Sequence, residues 1–246
     1  MSSLRFVDVS GSQIAYRLRK GSEPTLVFFP GYASHMEGTK ALALDAFAEQ
    51  RGFAMLRFDY SGTGSSGGRF EDGTLVLWLE ESLAAIDQLT QGPLVLVGSS
   101  MGGWIALHVA LLRPERVQAL VGIAAAPDFT DWSFAPEQKS ELQERGRLEE
   151  PNPYGPEPQI FTRAFWQSGQ QLRLLEGEIG IDSPVRLIHG DWDEEVPLDI
   201  AFRTMAALRS ADVQLNVIKG GGHRLSEPHE IDAILRTVAA LLEPAT

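Results

Sequence analysis

Ser100 stands in Gly98-Ser99-Ser100-Met101-Gly102, between the apolar β-branched run Leu94-Val95-Leu96-Val97 and a helix-like pattern that starts at Gly102. G-x-S-x-G between a strand and a helix is the turn that exposes a nucleophilic serine at the end of a buried strand. A strand reversing straight into a helix brings two backbones close together, so a side chain at position 98 or 102 would clash. Ser99 is the neighbouring decoy. A serine hydroxyl is a weak nucleophile at neutral pH and needs a base beside it. The five histidines are His35, His108, His189, His223 and His229. His223 has the best setting, because Gly220-Gly221-Gly222 free the backbone to swing an imidazole over the edge of a sheet. His108 falls in the middle of a helical pattern and His189 near the end of an apolar strand, so both read as structural. His229 lies early in a surface helix. His35 follows the apolar run Thr25–Pro30 and is placed to line a pocket.

The base needs an acid that fixes its tautomer and stabilises the imidazolium. His189-Gly190-Asp191-Trp192-Asp193-Glu194-Glu195-Val196-Pro197 offers four carboxylates after a strand. Asp193 is selected because H-G-x-x-D-x-x-V-P is a habitual setting for the acid of such hydrolases. Asp191 and the glutamates read as solvated turn charges, and Asp128 is the fallback acid. The chain order Ser100, Asp193, His223 is that of an α/β-hydrolase triad and differs from the chymotrypsin-like and subtilisin-like orders. A developing oxyanion needs two preorganised donors. The N–H of Met101 is one, and the N–H of Tyr32, in Phe29-Pro30-Gly31-Tyr32, is the other. Asp59-Tyr60-Ser61-Gly62-Thr63-Gly64-Ser65-Ser66 lacks the lysine of a phosphate-binding loop and reads as a structural turn near the site.

Positioning these groups takes a sheet. Short β-rich runs at 5–9, 13–19, 25–30, 54–58, 94–98, 119–124, 185–190 and 214–218 alternate with helical patterns at 39–51, 74–90, 102–112, 198–208 and 226–242. Such alternation predicts an α/β fold whose eight-stranded, mostly parallel sheet is flanked by helices. The first two strands form an antiparallel hairpin. One domain, 1–246, is expected, with a lid insertion over about 128–182, where no strand is evident and Pro151, Pro153, Pro156 and Pro158 break any helix. A stretch that long without a strand reads as a functional insertion. Its rings, Phe129, Trp132, Phe134, Tyr154, Phe161, Phe165 and Trp166, are divided between a small lid core and an acyl-binding pocket.

Composition narrows the classes. With 43% hydrophobic and 22% charged residues, the chain is an ordinary soluble enzyme domain. A net charge of −12 argues against a nucleic-acid surface, though Arg57, Arg69 or Arg163 could favour anions locally. No apolar run is long enough to span a membrane, and the first residues lack the apolar core of a secretion signal, so a cytoplasmic protein is expected. Zero cysteines exclude disulfides, thiolate metal sites and a cysteine nucleophile. A monomer or weak homo-oligomer is the default.

Several motifs together are more specific than the fold. Pro30-Gly31-Tyr32 with Gly38-Thr39-Lys40-Ala41, Arg57-Phe58-Asp59-Tyr60-Ser61-Gly62, Gly98 through Trp104, and Arg113-Pro114-Glu115-Arg116-Val117 followed by Leu120 through Ala124 resemble one family. It is the family of the mitochondrial abhydrolase-domain protein that removes palmitoyl groups from cysteines and hydrolyses acyl glucuronides. The resemblance runs from about residue 14 to 127 and from 184 to 240. It implies Ser100, Asp193 and His223 as the triad and a deacylase of esters or thioesters without metal or cofactor. A bacterial relative acting on small acyl esters or thioesters is expected. The rivals are an amidase or small-peptide hydrolase with the same triad, and a non-catalytic ligand receptor of the same fold. An epoxide hydrolase or dehalogenase is disfavoured, because it needs an aspartate where Ser100 stands.

Overall fold

Runs of apolar residues without polar alternation form strands buried on both faces, and β5 shows why both faces need cover. Leu94 and Leu96 pack into one buried cluster while Val95 and Val97 pack into another. A computed structural model describes residues 2–152 and 155–242. The chain runs β1 (Arg5–Val9), β2 (Ser12–Arg19), β3 (Ser22–Phe29), α1 (Thr39–Arg51), β4 (Phe53–Phe58), α2 (Leu75–Leu89), β5 (Leu94–Ser99), α3 (Met101–Leu112) and β6 (Val117–Ile123). It continues through α4 (Phe129–Trp132), α5 (Pro136–Arg145), β7 (Arg147–Glu150), β8 (Gln159–Thr162) and α6 (Arg163–Gln171). It closes with β9 (Val185–Gly190), α7 (Leu198–Ala207), β10 (Val213–Ile218) and α8 (Pro228–Leu242).

Eight strands make one sheet in the order β1-β2-β4-β3-β5-β6-β9-β10. β2 is antiparallel to both its neighbours and the remaining pairings are parallel. Residues of α2 and α3 pack on one face with Leu94 and Leu96, and residues of α1 and α8 on the other with Val95 and Val97. Each large apolar side chain withdrawn from water stabilises this arrangement by roughly 1.5–3 kcal/mol. α3 carries no Asp, Glu, Lys or Arg, which suits a helix covered on all sides. The chain leaves β3 for β4 on one side and returns to β5 on the other. That is a topological switch point, where open α/β sheets keep their ligand sites beyond the carboxyl ends of the strands. Phe29 is level with Gly98 across the β3–β5 pair, so the loop starting at Pro30 emerges beside Ser100.

The expected α/β architecture and eight sheet strands are present, with boundaries displaced by a few residues. The expectation of no strand between 128 and 182 is corrected: β7 and β8 form a separate antiparallel ribbon. Its strands are four residues long, and β7 has three charged residues. Only Leu148 and Phe161 are buried in them, too short an alternation to stand out. Three helices of the same segment, α4, α5 and α6, were likewise not evident in the sequence pattern. Among the described residues, no helix is long and apolar enough to cross a membrane.

Candidate active site

The turn from β5 into α3 places Ser100 at φ +54°, ψ −122°, a conformation costing a non-glycine residue on the order of 1–3 kcal/mol. Surrounding backbone holds it there. Ser100 N–H donates to the Ile123 carbonyl at 2.9 Å, and its carbonyl accepts from Gly103 at 2.9 Å and Ala126 at 3.1 Å. The flanking glycines are steric necessities. A Cβ at Gly98 would lie 2.3 Å from the Gly102 carbonyl oxygen, and one at Gly102 would lie 2.1 Å from that of Phe29.

Two loops at the same sheet edge bring His223 and Asp193 to Ser100. His223 Nε2 lies 3.0 Å from Ser100 Oγ, and its Nδ1 lies 2.9 Å from Asp193 Oδ2. The other carboxylate oxygen of Asp193 accepts from the N–H groups of Glu195 at 3.0 Å and Val196 at 2.8 Å. With Oδ1 so engaged, Oδ2 is left for the imidazole, whose Nδ1–H donates to it and whose Nε2 is free to accept from Ser100. The Asp193 side chain is fully buried. Burial pushes its carboxyl up, but the hydrogen bond and charge of His223, the Val196 N–H and His189 together hold it below the usual carboxylate range.

His189 sits behind Asp193. It is buried, its Nε2 is 2.8 Å from the Val196 carbonyl, and the same nitrogen is 3.4 Å from Asp193 Oδ2. It therefore braces the Asp193 loop, a role that its place near a strand end did not specify. Asp191, expected as a solvated turn charge, is exposed and also accepts from the Gly220 N–H at 2.5 Å, which pins the histidine loop. Lys40 Nζ donates to the Arg224 carbonyl on that loop. Burial, then the charge of Arg224, push the Lys40 ammonium down to about 8, against an opposing pull from Glu230.

The third loop, between β3 and α1, lies over the serine. A Cβ at Gly31 would be 3.3 Å from Ser100 Cβ and 3.9 Å from its Oγ. Among the described residues neither the Tyr32 N–H nor the Met101 N–H has an acceptor, which leaves both available to an oxyanion. Side chains from the end of β4 grip the far half of this loop. Met36 N–H donates to Asp59 Oδ1 at 2.6 Å, and Arg57 Nη1 donates to the Met36 carbonyl at 2.8 Å. Asp59 also accepts from Ser65 N–H at 2.8 Å. Burial outweighs those bonds and leaves its carboxyl above the usual range. The segment 59–66, read as a structural turn, is thus a clamp on the loop beside the serine.

These groups open into a cleft of about 690 Å³. Phe129, Trp132, Phe134 and Phe161 of the 128–182 segment line it, as do Lys40, Glu195 and Arg224. Phe165 is buried against Trp78 and Tyr32, and Trp166 Nε1 donates to the Thr130 carbonyl at 3.0 Å; neither faces the cleft. Tyr154 lies outside the described residues. Asp128 is not beside His223: its oxygens accept from the N–H groups of Leu174 and Leu175, both at 2.8 Å. His35 lines the rim, and Ser99 lines the cleft without touching His223. His108 bonds the Leu172 carbonyl at 2.8 Å, and His229 is exposed on α8. The arginines expected to attract anions do other work. Arg57 is buried, Arg69 pairs with Glu71, and Arg163 donates to the Leu142 carbonyl. Among the described residues, no cluster of three or more His, Asp or Glu is arranged to hold a metal ion.

Comparison with known proteins gives the family and the fold. The pattern of the α/β-hydrolase fold matches residues 24–153. The human palmitoyl-protein thioesterase ABHD10, mitochondrial, is 39% identical over 234 residues, covering 94% of this chain and 76% of the relative. The pimeloyl-[acyl-carrier protein] methyl ester esterase of Xanthomonas campestris is 30% identical over 257 residues, covering 90% of this chain and 97% of the relative. Among solved structures, the mouse α/β-hydrolase domain-containing protein 10 superposes with a TM-score of 0.92 at 37% identity, over 98% of each chain.

Proposed function

The chain belongs to the α/β-hydrolase family, whose members similar to it include a thioesterase and an esterase, and from that premise we propose that it hydrolyses carboxylic esters or thioesters through an acyl-enzyme on Ser100. The observation that carries this reading is one imidazole bridging a strained serine hydroxyl at 3.0 Å and a buried carboxylate at 2.9 Å.

In the first half-reaction His223 Nε2 takes the Ser100 proton as Oγ bonds to the acyl carbonyl carbon. The carbonyl π electrons move to oxygen, and the N–H groups of Met101 and Tyr32 receive the negative charge. As the tetrahedral intermediate collapses, the bond to the leaving oxygen or sulfur breaks, and His223 returns the proton to that atom. Water then repeats the sequence, giving up a proton to His223, and the acid leaves as Ser100 recovers its hydrogen. Asp193 keeps the Nδ1 proton in place and stabilises the imidazolium formed in both halves. The 128–182 segment acts as a lid whose four cleft-lining rings receive the acyl group, while the polar rim near Lys40 and Glu195 receives the leaving group.

The test is hydrolysis of p-nitrophenyl esters and matching acyl thioesters from acetyl to palmitoyl, with Ser100→Ala as control. Turnover that disappears in the control supports the reading, and the preferred chain length then gauges the ring-lined part of the cleft. Folded protein that turns over none of these substrates and takes no fluorophosphonate label overturns it.

A further inference from the structure

Tyr32 belongs to two parts of the molecule. Its backbone lies in the loop over Ser100, next to Gly31, whose hypothetical Cβ would be 3.3 Å from the serine Cβ. Its side chain is built into the insertion. The ring stacks on Phe161 at 4.8 Å with planes 12° apart and meets Phe165 at 4.8 Å and Phe129 at 6.2 Å, with Phe70 at 5.1 Å and Trp78 at 6.0 Å backing it from the body of the fold. Its hydroxyl donates to the carbonyl of Ile160 in β8. Burial pushes the phenol far above its ordinary value, so it stays a donor at every working pH.

The rest of the loop is held by other means. Tyr60 Oη donates to the Pro30 carbonyl at 3.2 Å, the Ser34 N–H donates to the Gly31 carbonyl at 3.1 Å, and Arg57 with Asp59 grips Met36. Among the described residues, neither the N–H nor the carbonyl of Tyr32 itself is hydrogen-bonded. An oxyanion donor must keep its N–H free, so that group cannot fix its own peptide. The side chain is what remains to set the orientation.

We propose that Tyr32 is a positioning residue that couples the seating of the insertion to the oxyanion site. The ring and hydroxyl lock onto β8 and α6, and the peptide N–H is thereby aimed at the place where charge develops on the substrate. A displacement of an ångström is enough to lose much of such a donor's effect. This inference rests on the reading of Ser100 as nucleophile and of the Tyr32 N–H as an oxyanion donor.

The test uses an acetyl ester, whose acyl group is too short to depend on the ring-lined wall. Tyr32→Phe keeps the ring and removes the bond to Ile160. Its kcat on the acetyl ester should fall about three- to tenfold, the range for one lost hydrogen bond, with KM within twofold of wild type. Phe161→Leu loosens the same contact from the insertion side without altering the loop. It should lower kcat on the acetyl ester and slow fluorophosphonate labelling in parallel, and it keeps the test open if Tyr32→Phe folds poorly. The coupling is overturned if kcat on the acetyl ester stays within twofold of wild type in the folded variants and the only change is a higher KM for long acyl chains. Ser100→Ala, run alongside, reports on the nucleophile alone: activity retained there refutes the underlying reading, whatever the Tyr32 variants do.

Discussion

Around Ser100 the backbone does the fixing, whereas in the insertion the side chains do. The β5–α3 turn is held by three backbone hydrogen bonds and by two glycines that no larger residue can replace. The insertion has only a short ribbon and small helices of its own, and it is tied to the body of the fold by rings, by Tyr32 and by a shared polar anchor, the Leu172 carbonyl, which accepts from both Trp104 at 3.0 Å and His108 at 2.8 Å. Asp128 closes the insertion on itself by accepting from Leu174 and Leu175. The contrast separates two needs. Reacting atoms must be placed to a fraction of an ångström, and sheet register with glycine sterics leaves them no freedom. A wall that shapes a substrate pocket can rest on ring packing, which tolerates repacking at similar volume.

The comparison breaks outright if Ser100→Ala retains more than a tenth of wild-type activity on any ester of the panel; a loss on the order of 10⁴–10⁶ in kcat is expected. Asp193→Asn should cost roughly 10³–10⁴ in kcat, because an amide cannot accept at both of the positions the carboxylate oxygens serve. The same variant has a stability signature. The Asp193 carboxyl is lowered in the folded protein, so its contribution is complete above the ordinary carboxylate range and is lost as pH falls through the lowered value. The difference in unfolding free energy between wild type and Asp193→Asn should therefore shrink on acidification through that window.

Gly102→Ala sharpens the argument about sterics. With a Cβ forced to 2.1 Å from the Phe29 carbonyl oxygen, urea unfolding should show a loss of about 2–3 kcal/mol. An unchanged midpoint would show that the turn has more room than the close approach implies.

On the insertion side, Asp128→Asn should cost about 1–3 kcal/mol, since the amide can accept from only one of the two N–H groups. Here the pH effect has the opposite sign. Burial outweighs the bonds from Leu175 and Leu174 and raises the Asp128 carboxyl. Its share of wild-type stability therefore falls as pH rises from the ordinary carboxylate range through the raised value, and the variant should lack that share. The smallest effect belongs to Arg147→Ala. This removes an exposed ion pair with Glu71, and the unfolding midpoint should stay within error of wild type.

Legibility in the sequence followed the same division. The strand runs, the elbow and the glycine-freed histidine loop were readable because each depends on neighbours within a few residues. Strand period, close approach and positive φ are local demands. The ribbon β7–β8 was missed because its strands are four residues long, with one buried side chain in each, too short for an alternation to show. The supporting roles of His189 and Asp191 were also missed, for they follow from how the loop after β9 folds back onto itself and onto the histidine loop. His189 and Asp193 are four residues apart, yet nothing in an irregular loop fixes which side chains face each other.

By itself, then, the sequence determined that a serine would be presented at the end of a buried strand and that an aspartate and then a histidine would follow it in settings suited to meet it. Steric exclusion at Gly98 and Gly102 and the buried-strand pattern of β5 are properties of short stretches of chain. Asp193 was readable among the four carboxylates after β9 from its motif, and only the tertiary structure decided that its Oδ2 meets the imidazole while Oδ1 takes two backbone N–H groups. It also decided that Arg57 and Asp59 hold the loop over the serine, and that Tyr32 reaches across 128 residues to Ile160. Those pairings are contacts through space between side chains whose partners are chosen by the packing of the whole sheet and its insertion, and no local periodicity encodes them.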